Sequence, residues 1–314
     1  ASITTSDIDN GSSDNCAIDS ISLSKTIFNC NDIGSNSVTL TVSDKFGNSS
    51  SKTATVNVED NIAPIVQTKN ITIQLDASGN ASISDDAVNN NSTDACSSIS
   101  FDTDITDFNC SNIGANSVTL TVTDESGNSA SANATVTVVD DIAPNAIAQN
   151  ITVQLDASGN ASITAAEVDN GSSDNCGISN FTLDQTNFDC EDVGSNPVTL
   201  TVTDVNGNSA TGNATVTLED NINPETPVLE DLLWYCGREI TDYPTTSDNC
   251  ETIITGTTND PLQYSGYGNY QIIWTFTDSS GNSANATQNI IIPEPTVDIP
   301  AIDAAEFCNE ETVP

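Results

Sequence analysis

Apolar and polar positions alternate with a period of two along most of the chain. Between 197 and 203, for example, Val198, Leu200 and Val202 are separated by Thr residues, which is typical of a strand with one buried face. Such runs are bounded by Asp, Asn and Gly clusters that are typical of tight hairpin turns, and we predict such turns at DASGN (156–160) and DVNGN (204–208). The pattern has no helical period and predicts an all-β fold. Around these turns we predict strands at 150–155, 161–168, 178–184, 197–203 and 209–218.

The chain also repeats itself every 80 residues. The stretch NITIQLDASGNASI at 70–83 returns as NITVQLDASGNASI at 150–163, and internal repeats indicate modules in tandem. About 80 residues with this strand pattern predict an immunoglobulin-like β-sandwich, and we expect a string of them to form an extended rod. The predicted divisions are an N-terminally truncated repeat one at 1–60, repeat two at 61–140, repeat three at 141–220, a shorter divergent repeat four at 221–293, and a linker with the start of a further module at 294–314.

Composition and charge narrow the function. The chain has 45 acidic residues, five basic residues and no His, which gives a formal net charge of -40. Nucleic-acid binding needs clustered Lys and Arg, so that class is excluded, as is chemistry that depends on His. The chain has no apolar run long enough to span a membrane. Paired carboxylates can cleave glycosides, but acids that recur in every repeat favour a structural role over an enzyme.

The cysteines follow the repeat and predict disulfides. Cysteines fourteen residues apart recur in each complete copy, and in a secreted array of small modules this predicts one disulfide inside each module. In repeat four Tyr264 occupies the usual partner position, so Cys236 would take over, and Cys308 would belong to the next module. The predicted pairs are Cys16–Cys30, Cys96–Cys110, Cys176–Cys190 and Cys236–Cys250.

Acidic segments are expected to meet where consecutive repeats join. Strand directions bring the linker, the loop before the first cysteine of the repeat and the Asp-x-x-Gly-Asn turn to one end of each sandwich. Crowded carboxylates repel unless a cation lies between them, and a set of oxygen ligands alone selects Ca²⁺. We therefore predict structural Ca²⁺ at three junctions. The first set is Glu59, Asp60, Asn61, Asp94, Asp124 and Asn128; the second is Asp140, Asp141, Asp174, Asp204 and Asn208; the third is Glu219, Asp220, Asn221, Asp248, Asp278 and Asn282.

Two alternatives remain open at this point. Asp-x-x-Gly-Asn is also good turn sequence, and an Asp shortly before Cys caps its own loop through backbone hydrogen bonds, so these acids can serve turns alone. At 76–80 and 156–160, at the other end of the sandwich, turn chemistry is the favoured interpretation. In repeat four the segment QYSGYGNY at 263–270 is either a ligand-contacting loop, since exposed Tyr stacks on sugars and suits recognition, or ordinary packing.

The motifs NITVQLDASGNASIT, DNGSSDNCGI and EDNIAP resemble the HYR-like, immunoglobulin-type repeats of giant cell-surface adhesins of Bacteroidetes, such as the SprB-type gliding-motility adhesins of flavobacteria. The linkers also look like the Asp- and Asn-rich linkers of cadherins, in which calcium stiffens a string of sandwiches. The first resemblance implies export by the type 9 secretion system, attachment at the outer membrane, and adhesion to surface glycans or abiotic surfaces as part of a stalk. The alternative is a set of carbohydrate-binding or accessory modules of a secreted enzyme.

Overall fold

A computed structural model describes residues 1–294. It divides into two compact units, the first covering Ala1–Ile142 and the second beginning at Ala143. Each unit contains two of the sequence repeats. Cys308 and the module predicted to begin at 294–314 lie outside the described residues, apart from position 294 itself.

The first unit contains three sheets, and the two larger ones are built on long antiparallel hairpins. In repeat one the sheet order is β1-β2-β3, and in repeat two a four-stranded sheet has the order β4-β9-β8-β6 beside a two-stranded sheet, β5-β7. The elements are α1 (Thr5–Ile8), β1 (Ile18–Leu23), β2 (Gly34–Asp44), β3 (Ser49–Val58), β4 (Ile71–Gln74), β5 (Asn80–Ser82), β6 (Ile99–Thr103), β7 (Asp107–Asn109), β8 (Gly114–Asp124) and β9 (Ser129–Val139), with 3-10 turns at Cys30–Asp32 and Cys110–Asn112.

The second unit repeats this plan once and then varies it. Repeat three has the sheets β10-β15-β14-β12 and β11-β13, whereas repeat four has β16-β20-β19 and β17-β18. The elements are β10 (Ile151–Gln154), β11 (Asn160–Ser162), α2 (Ala165–Val168), β12 (Ile178–Leu183), β13 (Asn187–Asp189), β14 (Gly194–Asp204), β15 (Ser209–Glu219), β16 (Leu232–Leu233), β17 (Thr245–Thr246), β18 (Ile254–Thr255), β19 (Gly268–Thr277) and β20 (Ser283–Ile292), with a 3-10 turn at Cys190–Asp192.

The alternating pattern puts one face of each long strand into a core. Val198, Leu200 and Val202 of β14 are buried together with Phe188 of the two-stranded sheet, so the two sheets of repeat three form the two layers of a sandwich. The prediction of an all-β chain of tandem β-sandwich modules is confirmed. Within residues 1–294, none of the helices has the length and apolar character needed to cross a membrane.

Two local predictions were wrong. The strand predicted at 161–168 ends at Ser162 and gives way to α2, because Thr164 and Glu167 form a capping box in which Glu167 Oε2 accepts hydrogen bonds from the Thr164 amide at 2.7 Å and hydroxyl at 2.9 Å. The DASGN segment at 156–160 is a turn, but it is not a hairpin within one sheet. It joins β10, which pairs in parallel with β15, to β11, which pairs with β13 in the other sheet.

Candidate metal centre

The linker between repeats one and two supplies the first acid. It follows β3, which ends at Val58, and Asp60 is fixed by a hydrogen bond that its Oδ1 accepts from the Ile62 amide at 3.1 Å. The other oxygen, Oδ2, is buried and accepts no hydrogen bond. The turn therefore fixes the Asp60 side chain through one carboxylate oxygen and leaves the other without a hydrogen bond.

The loop before Cys96 supplies the second acid, Asp94. Its Oδ2 accepts hydrogen bonds from the amides of Cys96 at 2.7 Å and Ser97 at 2.9 Å, while Oδ1 is buried without a hydrogen-bond partner. The Cys96 amide is the largest cause of a lowered pKa for Asp94, opposed by burial. The carboxylate is therefore ionised at neutral pH, and the loop that holds its first oxygen makes no hydrogen bond to its second.

The turn after β8 supplies the third acid and ties it to the linker. Asp124 is only 6% exposed, and its carboxylate accepts hydrogen bonds from both the backbone amide (2.8 Å) and the side-chain amide (2.7 Å) of Asn128. The same Asn128 side chain donates to the backbone carbonyl of Asp60 at 3.0 Å. Asn128 thus acts as a bridge between turn and linker.

These three acids form a tight cluster. One carboxylate oxygen from each of Asp60, Asp94 and Asp124 lies within 4.8 Å of the others. Each pair of unit charges at this distance repels by roughly 3 kcal/mol at the dielectric of a protein surface. The ion pair between Lys25 and Asp32 involves none of these three acids. Buried carboxylate oxygens without hydrogen bonds, all of them hard ligands, fit Ca²⁺.

The second unit contains a cluster of the same design. Asp220 follows β15, Asp248 precedes Cys250, and Asp278 follows β19, with one oxygen from each within 4.8 Å of the others. Asp248 Oδ1 accepts from the Cys250 amide at 2.8 Å, while its Oδ2 is buried without a hydrogen bond. Asn282 repeats the bridge, since its side chain donates to Asp278 Oδ2 and to the Asp220 carbonyl, both at 2.9 Å.

One contact is particular to the second unit. The Asn249 side chain donates to Asp220 Oδ1 at 3.2 Å, and its own Oδ1 is buried without a hydrogen bond. At the corresponding position of the first unit the residue is Ala95. Sequence analysis missed Asn249 as a site residue, although the repeated DNC triplet at 248–250 was the available signal.

The other predicted ligands fall into two groups. Glu59 and Glu219 lie beside the clusters in sequence and pair with neighbouring amides, from Asn57 at 3.1 Å and Asn221 at 3.3 Å. No contact fixes Asn61 as a ligand, so the roles of all these residues stay predictions.

The predicted second set divides between the two units: Asp140 and Asp141 belong to the first, and Asp174, Asp204 and Asn208 to the second. Within the second unit the Asn208 side chain donates to Asp204 Oδ2 at 2.8 Å.

The predicted disulfide pairing is wrong. Cys30 is bonded to Cys96 and Cys190 to Cys250, so these bonds link consecutive repeats and exclude the pairs Cys16–Cys30, Cys96–Cys110, Cys176–Cys190 and Cys236–Cys250. Cys110, Cys176 and Cys236 are also disulfide-bonded, and Cys16 is an exposed free thiol. The second cysteine of the earlier repeat therefore reaches the first cysteine of the next one, beside the acid cluster.

Strand geometry explains this pairing. In repeat one Cys16 precedes β1, whose Ile18 pairs with Asp44 at the end of β2, whereas Cys30 lies just before Gly34 at the start of β2. Eleven residues of β2 separate the two ends by roughly 30 Å. A disulfide needs Cα atoms within about 7 Å, as in the observed 4.8 Å for Cys30 and Cys96. Two cysteines of one repeat therefore cannot meet.

The tyrosine-rich segment of repeat four packs inside its module. Tyr264 is 9% exposed and belongs to the core around Trp274. Its ring stacks on that of Tyr270 with centroids 4.3 Å apart, and Tyr267 and Tyr270 pack against the same core. The geometry favours packing over sugar contact for these three rings.

No protein-family model and no curated protein matches the chain. Among solved structures it is similar to the protocadherin gammaB4 extracellular domain, with 16% identity and a TM-score of 0.33, covering 84% of this chain but only 57% of that one. It is also similar to protocadherin gamma B7 extracellular cadherin domains 1–4 (12%, TM-score 0.33, 87% and 91%) and to Drosophila N-cadherin EC1-4 (13%, TM-score 0.27, 82% and 83%). Similarity this low says nothing about the site, and the architecture of this chain follows from its own strand order and register.

Proposed function

We propose that this chain is a non-enzymatic, extracellular repeat region that acts as a structural and adhesive stalk, with Ca²⁺ stabilising the junctions between its modules. The observation that carries the proposal is the pair of three-aspartate clusters, one in each unit, whose oxygens lie within 4.8 Å of one another. Buried oxygens without hydrogen bonds at Asp60, Asp94 and Asp248 support a cation as their missing partner.

The residues that would hold the ion are Asp60, Asp94 and Asp124 in the first unit and Asp220, Asp248 and Asp278 in the second. Bound Ca²⁺ would neutralise carboxylates that otherwise repel one another. Each cluster takes one acid from the linker, one from a loop and one from a turn, and the last two belong to the module that the linker enters. Charge neutralisation would therefore fix the linker against that module, which is the property that a stalk requires.

An oxidising, extracellular location is supported by the disulfides, since bonds of this kind persist outside the cytosol. The finer proposals come from the sequence motifs. They are export through a type 9 secretion system, attachment at the outer membrane, and adhesion to surface glycans or abiotic surfaces, with a link to gliding motility. Tracking the full-length protein with antibodies on intact cells tests the surface location, and signal only after cell lysis would contradict it.

Small-angle scattering of the full chain tests the stalk directly. We expect the maximum dimension and its spread to change when a chelator replaces millimolar Ca²⁺, because linkers freed from the clusters sample more directions. A double variant, Asp94→Asn with Asp248→Asn, is the matched control and should respond little to chelation. Identical scattering of the wild-type chain with and without chelator would argue against rigidification by calcium.

A further inference from the structure

The disulfides connect consecutive repeats covalently, independently of the acid clusters. Cys30 and Cys96 are separated by 66 residues in sequence, and Cys190 and Cys250 by 60. Each bond joins a 3-10 turn of one repeat to a loop of the next, the loop before β6 in repeat two and the loop before β18 in repeat four. Each bond therefore bypasses the rest of the earlier repeat, the linker and the first strands of the next repeat.

A disulfide gives the chain a short covalent route from one repeat to the next. The segment between the two cysteines of one repeat continues that route across the module. In repeat two the chain runs from Cys96 through β6, whose Ile99 pairs with Asp124, to Cys110 just before Gly114. Those fourteen residues cross the module from one end to the other, and at most roughly 50 Å of backbone lies between the cysteines when it is fully extended. Pulling on this path can therefore yield at most that length, which is short beside the residues that the disulfides bypass.

We infer that the disulfides carry tension along the chain and keep most residues of each repeat out of the load path. A pulling force applied across Cys30 and Cys96 passes through the sulfur–sulfur bond, and the residues between them are not stretched even if their module unfolds. The same holds between Cys190 and Cys250. This inference deepens the proposed stalk function and rests on it for its biological purpose, because a stalk under shear has to resist lengthening.

The positions of the bonded cysteines determine how much extended chain is released when each disulfide opens. Opening the Cys30–Cys96 bond releases a 66-residue separation, which is roughly 230 Å of extended chain. Opening the Cys190–Cys250 bond releases a 60-residue separation, or roughly 210 Å. Each release is several times the length of the fourteen-residue path and is readily resolved from thermal noise.

Single-molecule force spectroscopy on the full chain, held at its two ends, tests the inference. Every protein carries Cys16→Ser so that the free thiol cannot link copies. Without reductant, we expect the fully stretched length of the Cys30→Ser, Cys96→Ser protein to exceed that of the parent by roughly 230 Å, and that of the Cys190→Ser, Cys250→Ser protein by roughly 210 Å. The other cysteines are unchanged in all three, so their contribution cancels.

A thiol reductant supplied at constant force gives a second measurement. As a thiolate attacks one sulfur of a loaded bond, a mixed disulfide forms and the other cysteine leaves as a thiolate. The steps by which the parent lengthens should therefore include these two sizes, and each double variant should lack the step of its own pair. Fully stretched length does not depend on folding, so a variant that fails to fold still gives a result. Equal stretched lengths for parent and variants would overturn the inference. Chelating calcium should change unfolding forces without changing step lengths, which separates failure of the calcium proposal from failure of this one.

Discussion

The junctions of the two units share their chemistry although the modules that they enter differ. Repeat two buries Val118, Leu120 and Val122 in its long strand, whereas repeat four buries Ile272, Trp274 and Phe276 in the corresponding strand. Both nevertheless have an aspartate triad, an Asn bridge from turn to linker, and a disulfide to the preceding repeat. The core accepts any apolar residues of suitable volume, but the junction repeats particular residues, as the proposed function requires.

The junction of the second unit has two further contacts. Asn249 adds a hydrogen bond to Asp220 in the second unit, where the first unit has Ala95. In addition, the turn at 156–160 of repeat three packs on repeat four so closely that a Cβ on Gly159 would lie 2.6 Å from Cys190 Sγ and 2.7 Å from the Asn249 carbonyl oxygen. Gly159 is therefore in direct contact with repeat four at this junction.

The largest expected effect comes from removing a disulfide. Closing loops of 66 and 60 residues stabilises by about 4 kcal/mol each in the chain-entropy model. We expect Cys30→Ser with Cys96→Ser and Cys190→Ser with Cys250→Ser to lower the denaturant midpoint of the affected unit by similar amounts. Cys16→Ser should have no such effect. If only one of the two double variants lowered the denaturant midpoint, the disulfides of the two junctions would not contribute equally to stability.

Gly159→Ala is expected to have the next largest effect. Gly159 has φ +74°, a conformation that costs an L-residue about 1–2 kcal/mol, and the contact with Asn249 adds an overpacking cost of about 1–3 kcal/mol. Gly207→Ala is the matched control, because Gly207 has φ +98° but no atom within 4 Å of its Cβ position. Calorimetric scans should show a melting temperature several degrees lower for Gly159→Ala than for Gly207→Ala. Equal losses would show that the contact with repeat four carries no energy.

Exchanging the residue before the junction cysteine should have the smallest effect. Asn249→Ala removes one hydrogen bond to Asp220, worth about 1 kcal/mol, and should weaken calcium binding in the second unit severalfold. Ala95→Asn should strengthen it in the first unit by a similar factor. Calcium titrations followed by calorimetry measure both changes. Changes of the same sign in the two variants would contradict the comparison of the two junctions.

The sequence predicted the strands and the acid clusters because both depend on local pattern and strand direction. Alternation marked β14, and the reversal of the chain at each turn placed Asp94 and Asp124 at the same end of the sandwich, where the structure brings them together with Asp60. The capping box at Thr164 was also present in the sequence, but alternation extended the predicted strand through it. Local sequence patterns were therefore sufficient to predict the features whose geometry is determined within one module.

Disulfide pairing was not predictable from spacing alone. The separation of fourteen residues between Cys96 and Cys110 suits a bond in a loop, yet a strand lies between them and holds them at opposite ends. The same strand directions that bring the acids together exclude this pair. The contact of Asn249 with Asp220 depends on how the linker meets the next module, which no periodic pattern encodes.

Calcium binding by the triads is the central claim, and isosteric variants test it most directly. Asp94→Asn and Asp248→Asn keep the oxygen that caps the loop and replace only the buried oxygen that has no hydrogen bond. Asp14→Asn is the control, because Asp14 caps the equivalent loop by accepting from the Cys16 amide at 2.7 Å and belongs to neither triad. Isothermal titration calorimetry of the full chain should show that the Asp94→Asn, Asp248→Asn protein loses at least two bound calcium ions per chain while Asp14→Asn loses none. No calcium binding by the wild-type chain at millimolar concentration, or unchanged binding by the double variant, would contradict the claim.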